Sequence, residues 1–245
     1  MKAILIVTLF LSYSSFLYSQ RNFSDPTYLD SVFEPKLPGE EYTPLPGLVG
    51  SQYYNNEWVL GNLELVNGKK ICNKLLKYNG FIDEALWLPN DSDATSQIKL
   101  DKLSVADFWI QNPTGKSAHF KRINTKKIYQ SDSTDIFAEV ITEGKFSLYI
   151  FRKISVIEDK NLVAKGKFYY TAKLGQTPIY YIKQPTGQFY SLYKIKKKYF
   201  LNLFGEQRND INKLLKKNNQ RIRTESDLVN VFFLLNKEEN KLKNQ

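Results

Sequence analysis

The sequence predicts a mainly β protein: an antiparallel meander or sheet with two or three C-terminal α-helices, preceded by a proline-rich N-terminal arm. Three observations carry that prediction. Runs rich in Tyr, Phe, Ile and Val recur between Glu57 and Ile195, separated by Asn-Gly and Pro-Thr-Gly turns. From Tyr199 onward the apolar residues change to helical spacing. Between Gln20 and Gly50 stand Pro26, Pro35, Pro38, Pro44 and Pro46, a density that forbids a long helix or a central strand.

The N-terminus reads Met1-Lys2, a mostly apolar run from Ala3 to Leu11, and a stretch rich in Ser, Tyr and Phe that leads to Ser19-Gln20. One positive charge, a short apolar segment and a small residue before a polar one form the pattern of a secretory signal. The run is too short for a membrane span, which needs roughly 20 apolar residues. Residues 1–19 are therefore expected to be a cleaved signal peptide, although Leu17 at position −3 is not small. The mature chain is then exported, to the periplasm, the outer membrane surface or the medium. No cysteine near the cleavage site offers a lipid anchor, and no later segment is apolar for long enough to span a bilayer. Residues 20–50 interleave Phe23, Tyr28, Leu29, Val32, Phe33, Leu37, Tyr42, Leu45 and Leu48 with the prolines, so they are expected as an extended arm laid across the main domain.

An antiparallel β domain is expected over 51–195. Glu57 to Val66 is strand-like and ends at Asn67-Gly68, the pair that suits a type I′ hairpin turn. Lys69 to Tyr78 follows, then Asn79-Gly80 as a second such turn, then Phe81 to Leu88, which makes 57–88 a three-stranded meander. Further strands are expected at 98–103, 106–111, 117–123, 135–142, 146–157, 162–171, 178–184 and 188–195. Asn112-Pro113-Thr114-Gly115 and Gln184-Pro185-Thr186-Gly187 share Pro-Thr-Gly, in which Pro presets φ and Gly accepts the left-handed region. Ile110, Phe120 and Ile123 flank the first turn at the offsets of Ile182, Leu192 and Ile195 around the second, which reads as recurrent hairpin chemistry.

A basic helical segment is expected over 196–245, with helices at 196–204, 208–218 and 225–236 and a charged, frayed tail from Lys237. Thr224-Glu225-Ser226-Asp227 resembles a capping box, with Thr224 accepting from a first-turn N–H. Leu228, Val231, Phe232 and Leu235 form one apolar face behind it.

Composition narrows the chemistry. A single thiol, Cys72, excludes an intramolecular disulfide, so the domain must hold together by burial. One Cys and one His are too few for a zinc site. Asn90-Asp91-Ser92-Asp93 lacks the spacing, glycine and terminal Glu of an EF-hand loop and reads as a polar loop. There is no Walker loop and no dinucleotide fingerprint. His119 would have to serve any Ser-His-acid triad, with Ser117 on the same strand face, but no Gly-x-Ser-x-Gly elbow accompanies it. It reads as a strand residue facing solvent among Lys and Arg, and Cys72 as a small apolar side chain, with a Cys72–His119 dyad open on composition alone. Asp83, Glu84, Asp107 and Glu139 are available for carboxylate chemistry, and none stands out. The sequence therefore nominates no catalytic residue, cofactor or metal ligand.

What remains is charge. Residues 189–245 hold 13 Lys and Arg against 6 Asp and Glu, whereas residues 20–188 are nearly balanced, 21 against 19. Tyr190, Tyr193, Lys194, Lys196, Lys197, Lys198 and Tyr199, extended by Lys213, Lys216, Lys217, Arg221 and Arg223, form a basic and aromatic patch suited to an anionic partner. The plainer reading is an amphipathic helical cap with a solvated lysine face. Export argues against nucleic acid and for an acidic envelope component, a lipid or a protein.

Three stretches carry a resemblance. They are Asn67-Gly68 with Leu76 to Asn79 and Asp83-Glu84; Val140 with Glu143-Gly144 and Leu148-Tyr149; and Ile211 to Asn218 with Glu225 to Asn236. In layout and turn wording the chain resembles a group of uncharacterised β-rich secreted proteins of Bacteroidetes-type bacteria. The resemblance implies an envelope or extracellular location and transfers no functional residue. The leading expectation is an exported, non-enzymatic binding or interaction protein of the cell envelope that recognises an acidic partner. The alternatives are a carrier of lipid or another amphiphile, with an acyl chain cradled under a helical lid, and a hydrolase using carboxylates or His119.

Overall fold

Strands come first along the chain and helices last, as the change of apolar period requires. The computed structural model describes residues 37–89, 96–124, 135–164 and 167–242, all within the unit Leu37–Gln245. The leader, residues 20–36 of the arm and the Asn90–Asp93 loop lie outside the described residues. The strands are β1 (Gly39–Tyr42), β2 (Leu48–Val49), β3 (Val59–Leu65), β4 (Lys70–Asn79), β5 (Glu84–Leu88), β6 (Gln97–Leu100) and β7 (Val105–Gln111). They continue as β8 (Ser117–Asn124), β9 (Asp135–Thr142), β10 (Ser147–Phe151), β11 (Ile154–Ala164), β12 (Lys167–Gln176), β13 (Ile179–Lys183) and β14 (Phe189–Leu192). The helices are α1 (Lys197–Asn202), α2 (Arg208–Lys217) and α3 (Glu225–Leu242), with a 3-10 turn at Gly205–Gln207.

Eleven strands form one antiparallel sheet in the order β1-β6-β5-β4-β3-β7-β8-β9-β10-β13-β14. A second sheet holds β11-β12-β2, with β2 parallel to β12. The mainly β class with C-terminal helices therefore stands. The described part of the arm is extended: β1 adds to the β6 edge of the large sheet and β2 to β12 of the small one.

Alternation along the strands sets the two faces. Leu148 and Ile150 of β10 and Ile182 of β13 pack under the helices against Phe200, Leu215, Leu228, Val231 and Phe232, which are fully buried. Tyr149 and Phe151 point to the other face and join Ala138 and Tyr181. All five β10 residues are buried, so that strand is apolar without alternation, as expected where both faces are covered. Farther along, Tyr78, Phe108, Phe120 and Phe137 fill the core of the meander half, Phe108 and Phe120 stacked at 4.8 Å.

Three hairpins share one turn geometry. Gly68, Gly115 and Gly187 have φ near +80° and donate to the carbonyls of Leu65, Asn112 and Gln184, three residues back. This is a type I turn closed by a left-handed glycine. Recurrent hairpin chemistry thus covers the Pro-Thr-Gly pair, and Val66-Asn67-Gly68 uses the same loop, not the expected type I′ turn. Asn79-Gly80 is not a two-residue turn either. The loop runs through Asp83 at φ 57°, and the Asn79 amide oxygen accepts from the N–H groups of Phe81 and Ile82.

Two strand boundaries also differ. The run expected at 146–157 breaks into β10 and β11, and the run expected at 162–171 falls partly in β11 and partly in β12. Asp227 accepts from the backbone N–H groups of Thr224 and Arg223 while its own N–H donates to the Thr224 hydroxyl, so the expected cap forms. α3 continues to Leu242, past the expected fraying point at Lys237.

Candidate cationic groove

Where β10 gives way to β11, the chain leaves the large sheet for the small one. The β10–β13 pairing Phe151↔Ile179 and the β11–β12 pairing Ile154↔Gln176 keep one register, so 147–156 and 174–183 form a continuous ribbon that changes sheets midway. The break falls at Arg152-Lys153, opposite Thr177-Pro178. The ladder survives there in the bond from the Thr177 N–H to the Lys153 carbonyl at 2.9 Å, while the Ile154 N–H turns to the Gly80 carbonyl at 2.9 Å, outside both sheets' pairings. The next strand, β14, extends the β13 register so that Tyr193 falls opposite Ile179.

These segments meet the start of α1 and the loop before α3 around an open groove of about 740 Å³. Its walls carry four cations: Lys153 from the ribbon break, Lys194 and Lys196 from the β14–α1 loop, and Arg223 before α3. All four side chains are exposed. No described residue lining the groove is a carboxylate. Ser155 and Thr177, whose hydroxyls bond each other at 2.8 Å, add polar donors to the floor. Lys196 caps α1 with extended backbone and no side-chain hydrogen bond, and the first turn of α1 holds no acid. Cations at a helix N-terminus oppose its dipole, so helix stability does not account for their placement.

Behind the groove a charged cluster ties its walls together. Arg152 donates to Glu139 of β9 at 2.5 Å and reaches Glu225 of α3 with two nitrogens, at 2.8 and 2.9 Å. Tyr54 donates to Glu139 and Tyr180 to Glu225, at 3.2 and 3.0 Å. The Arg152 and Glu139 side chains are 19% and 9% exposed, which makes this pair largely desolvated. Burial and the neighbouring carboxylates raise both phenols well above the ordinary tyrosine range, so they stay protonated donors. Arg152 thereby holds the ribbon break to the first residue of α3, two positions past Arg223.

Comparison with known protein families, with characterised proteins and with solved structures finds no match. The groove therefore has to be read on its own chemistry.

The sequence-predicted basic patch divides in space. Lys194, Lys196 and Arg223 line the groove together. Lys197 and Lys198 follow on α1 and do not line it. Lys213, Lys216 and Lys217 are exposed on α2, Lys213 at 3.6 Å from Asp210 and the other two in the last turn, where the dipole favours cations. Arg221 helps hold the Asp227 carboxyl below its ordinary range, after the backbone N–H groups of Arg223 and Thr224. Sequence reasoning missed Lys153 and Arg152. The signal for them lies in the register that sets them against Thr177-Pro178, and no local pattern displays it.

Other candidate chemistry is already engaged. His119 is not a bare solvent-facing residue: its Nε2 lies 2.6 Å from Asp107 and its ring stacks on Trp109 at 4.5 Å. No hydrogen bond joins it to exposed Ser117. Cys72 of β4 and His119 of β8 are separated by β3 and β7. Three strand spacings amount to about 14 Å, too far for a dyad.

Asp83 accepts from the Tyr78 hydroxyl at 2.7 Å, Lys102 at 3.0 Å and the Phe137 N–H at 3.2 Å. Burial raises its carboxyl nonetheless. Glu84 is pushed up to about 7 by burial, against the pull of Lys102, and its Oε2 is buried with no hydrogen-bond partner. A second recess of about 390 Å³ beside Glu84 carries both signs, Glu40 and Asp101 with Lys99 and Lys102, so its charges largely compensate. Among the described residues no group of three or more His, Cys, Asp and Glu could hold a metal, and no helix is long and apolar enough to cross a membrane.

Proposed function

We propose that this chain is an exported binding protein of the bacterial cell envelope that takes an acidic ligand in the groove of Lys153, Lys194, Lys196 and Arg223. One observation carries the reading: three separate chain segments converge four exposed cations on one concavity whose described lining offers no carboxylate. Where charges are largely buried the fold pairs them, as in Lys102 with Asp83 and Glu84 or Arg152 with Glu139 and Glu225. An anion in the groove relieves the mutual repulsion and collects several charge-assisted hydrogen bonds at once. Export rests on the leader, and it directs the partner toward envelope components and away from nucleic acid. The packing of Phe200, Leu215, Leu228 and Phe232 against the sheet takes the space that an acyl chain under a helical lid would need, which favours a surface ligand over a carried one.

Calorimetric titration with citrate and tripolyphosphate tests this. The paired variant Lys153→Glu with Arg223→Glu is expected to weaken binding at least tenfold, whereas Lys213→Glu with Lys217→Glu on α2 stays within twofold to threefold of the parent. Binding should also fall steeply as salt rises. Equal losses in both pairs, or no loss in either, would overturn the groove as the site.

A further inference from the structure

The cationic groove does not end at Lys194. Its wall of Tyr193 and Lys194 is shared with a neighbouring recess of about 340 Å³, lined also by Tyr199, Asn202, Leu203 and Ser191. Tyr193 and Tyr199 are 58% and 45% exposed, so both phenol rings border the recess with about half of their surface in water. Contiguous exposed aromatic surface marks a contact site more often than a scattered apolar side chain does.

We infer, building on the groove reading above, that the ligand is an acidic oligosaccharide: its anionic substituents sit among Lys153, Lys194, Lys196 and Arg223, and an adjoining sugar ring lies on Tyr193 and Tyr199. Three features select that chemistry. A pyranose ring offers an apolar C–H face to an aromatic ring and a rim of hydroxyls to donors and acceptors. The recess supplies both, the two tyrosines for the face and Ser191, Lys194 and Asn202 for the rim. A hydrocarbon chain in the same place would strip water from those three polar groups and return no hydrogen bond. A neutral sugar would leave the four cations next door unmatched. Both recesses fall within the 300–1,000 Å³ that small-molecule sites occupy.

The probes are tetragalacturonate (rings and charges), maltotetraose (rings alone), tetraglutamate (charges alone) and vesicles containing phosphatidylglycerol, each titrated onto the full mature chain. Tetragalacturonate is expected to bind at least tenfold more tightly than tetraglutamate, and maltotetraose more weakly than both. Tyr193→Ala and Tyr199→Ala should each erase most of that advantage and leave tetraglutamate within twofold, while Tyr193→Phe keeps it. Lys153→Glu with Arg223→Glu should weaken both charged probes. Because both tyrosines are exposed, unchanged melting curves verify that the variants fold. If tetraglutamate matches tetragalacturonate and the tyrosine variants are silent, the saccharide inference fails while the groove reading stands. Binding to vesicles but not to tetragalacturonate overturns it in favour of a membrane surface. If no anionic probe binds, both readings fall.

Discussion

Arg152→Met is the most informative single change to the frame of the groove. In the folded protein the Arg152 guanidinium compensates Glu139, whose side chain is 9% exposed, and also reaches Glu225, which is 34% exposed. The two arms differ in worth. The Glu225 arm faces enough water to be screened, which places it with surface pairs at about 0–1 kcal/mol. Removing the partner of Glu139 leaves a nearly buried carboxylate uncompensated, a loss of about 3–5 kcal/mol. Urea denaturation should therefore show Arg152→Met less stable by about 3–5 kcal/mol with an unchanged slope. Adding Glu139→Gln should recover most of the loss, since the remaining amide carries no charge to desolvate and Tyr54 can still donate to its oxygen. The groove should feel the change as well, because Arg152 ties the ribbon that carries Lys153 to the α3 start that follows Arg223; citrate affinity should drop in the single variant. A cost below about 1 kcal/mol, or a double variant no more stable than the single one, would refute the assignment of Arg152 as the compensating charge.

Two further predictions concern the rest of the fold. Glu84 titrates near 7 in the folded protein, above its ordinary carboxyl value, so the folded state holds a proton that the unfolded state has released between about pH 4.5 and 7. Stability from this group is full below that window and declines as pH rises through it; Glu84→Gln should therefore raise the melting temperature at pH 8 and leave it nearly unchanged at pH 4. A melting curve for Glu84→Gln below the parent at pH 8 would contradict this. At Gly115 and Gly187 an added Cβ meets nothing within 4 Å, so Ala at either site is opposed only by the positive φ. Each substitution should cost about 1 kcal/mol in denaturant titration, with Asn at the same site milder, whereas a loss well above 2 kcal/mol would reveal a packing role the open surroundings do not show.

Local patterns that act within one element were readable from the residues in order. The Pro-Thr-Gly turns, the apolar period after Tyr199 and the Thr224 cap each depend on neighbours a few positions apart, and each appears in the structure. The misplaced boundaries have separate causes. Residues 146–157 are continuously strand-like, and the break at Arg152-Lys153 goes with a contact outside the run, the Ile154 N–H donating to the Gly80 carbonyl. Asn79-Gly80 has the wording of a tight hairpin, but Asn79 spends its side chain on the N–H groups of Phe81 and Ile82 and so opens a longer loop.

The candidate site divides in the same way. Charge is additive along a chain, so composition alone located the basic excess in the C-terminal quarter and brought Lys194, Lys196 and Arg223 into view. Composition has no means of separating those three from Lys213, Lys216 and Lys217, which share their chemistry and lie on a solvated helix face. Strand register and the docking of α3 made that separation, and they recruited Lys153 from outside the basic segment. Class of fold and the sign of the chain's own charge excess thus follow from sequence, because secondary-structure period and net charge are short-range or summed properties. The concavity itself belongs to tertiary structure, since it exists only where segments some thirty to seventy residues apart are pressed together by burial.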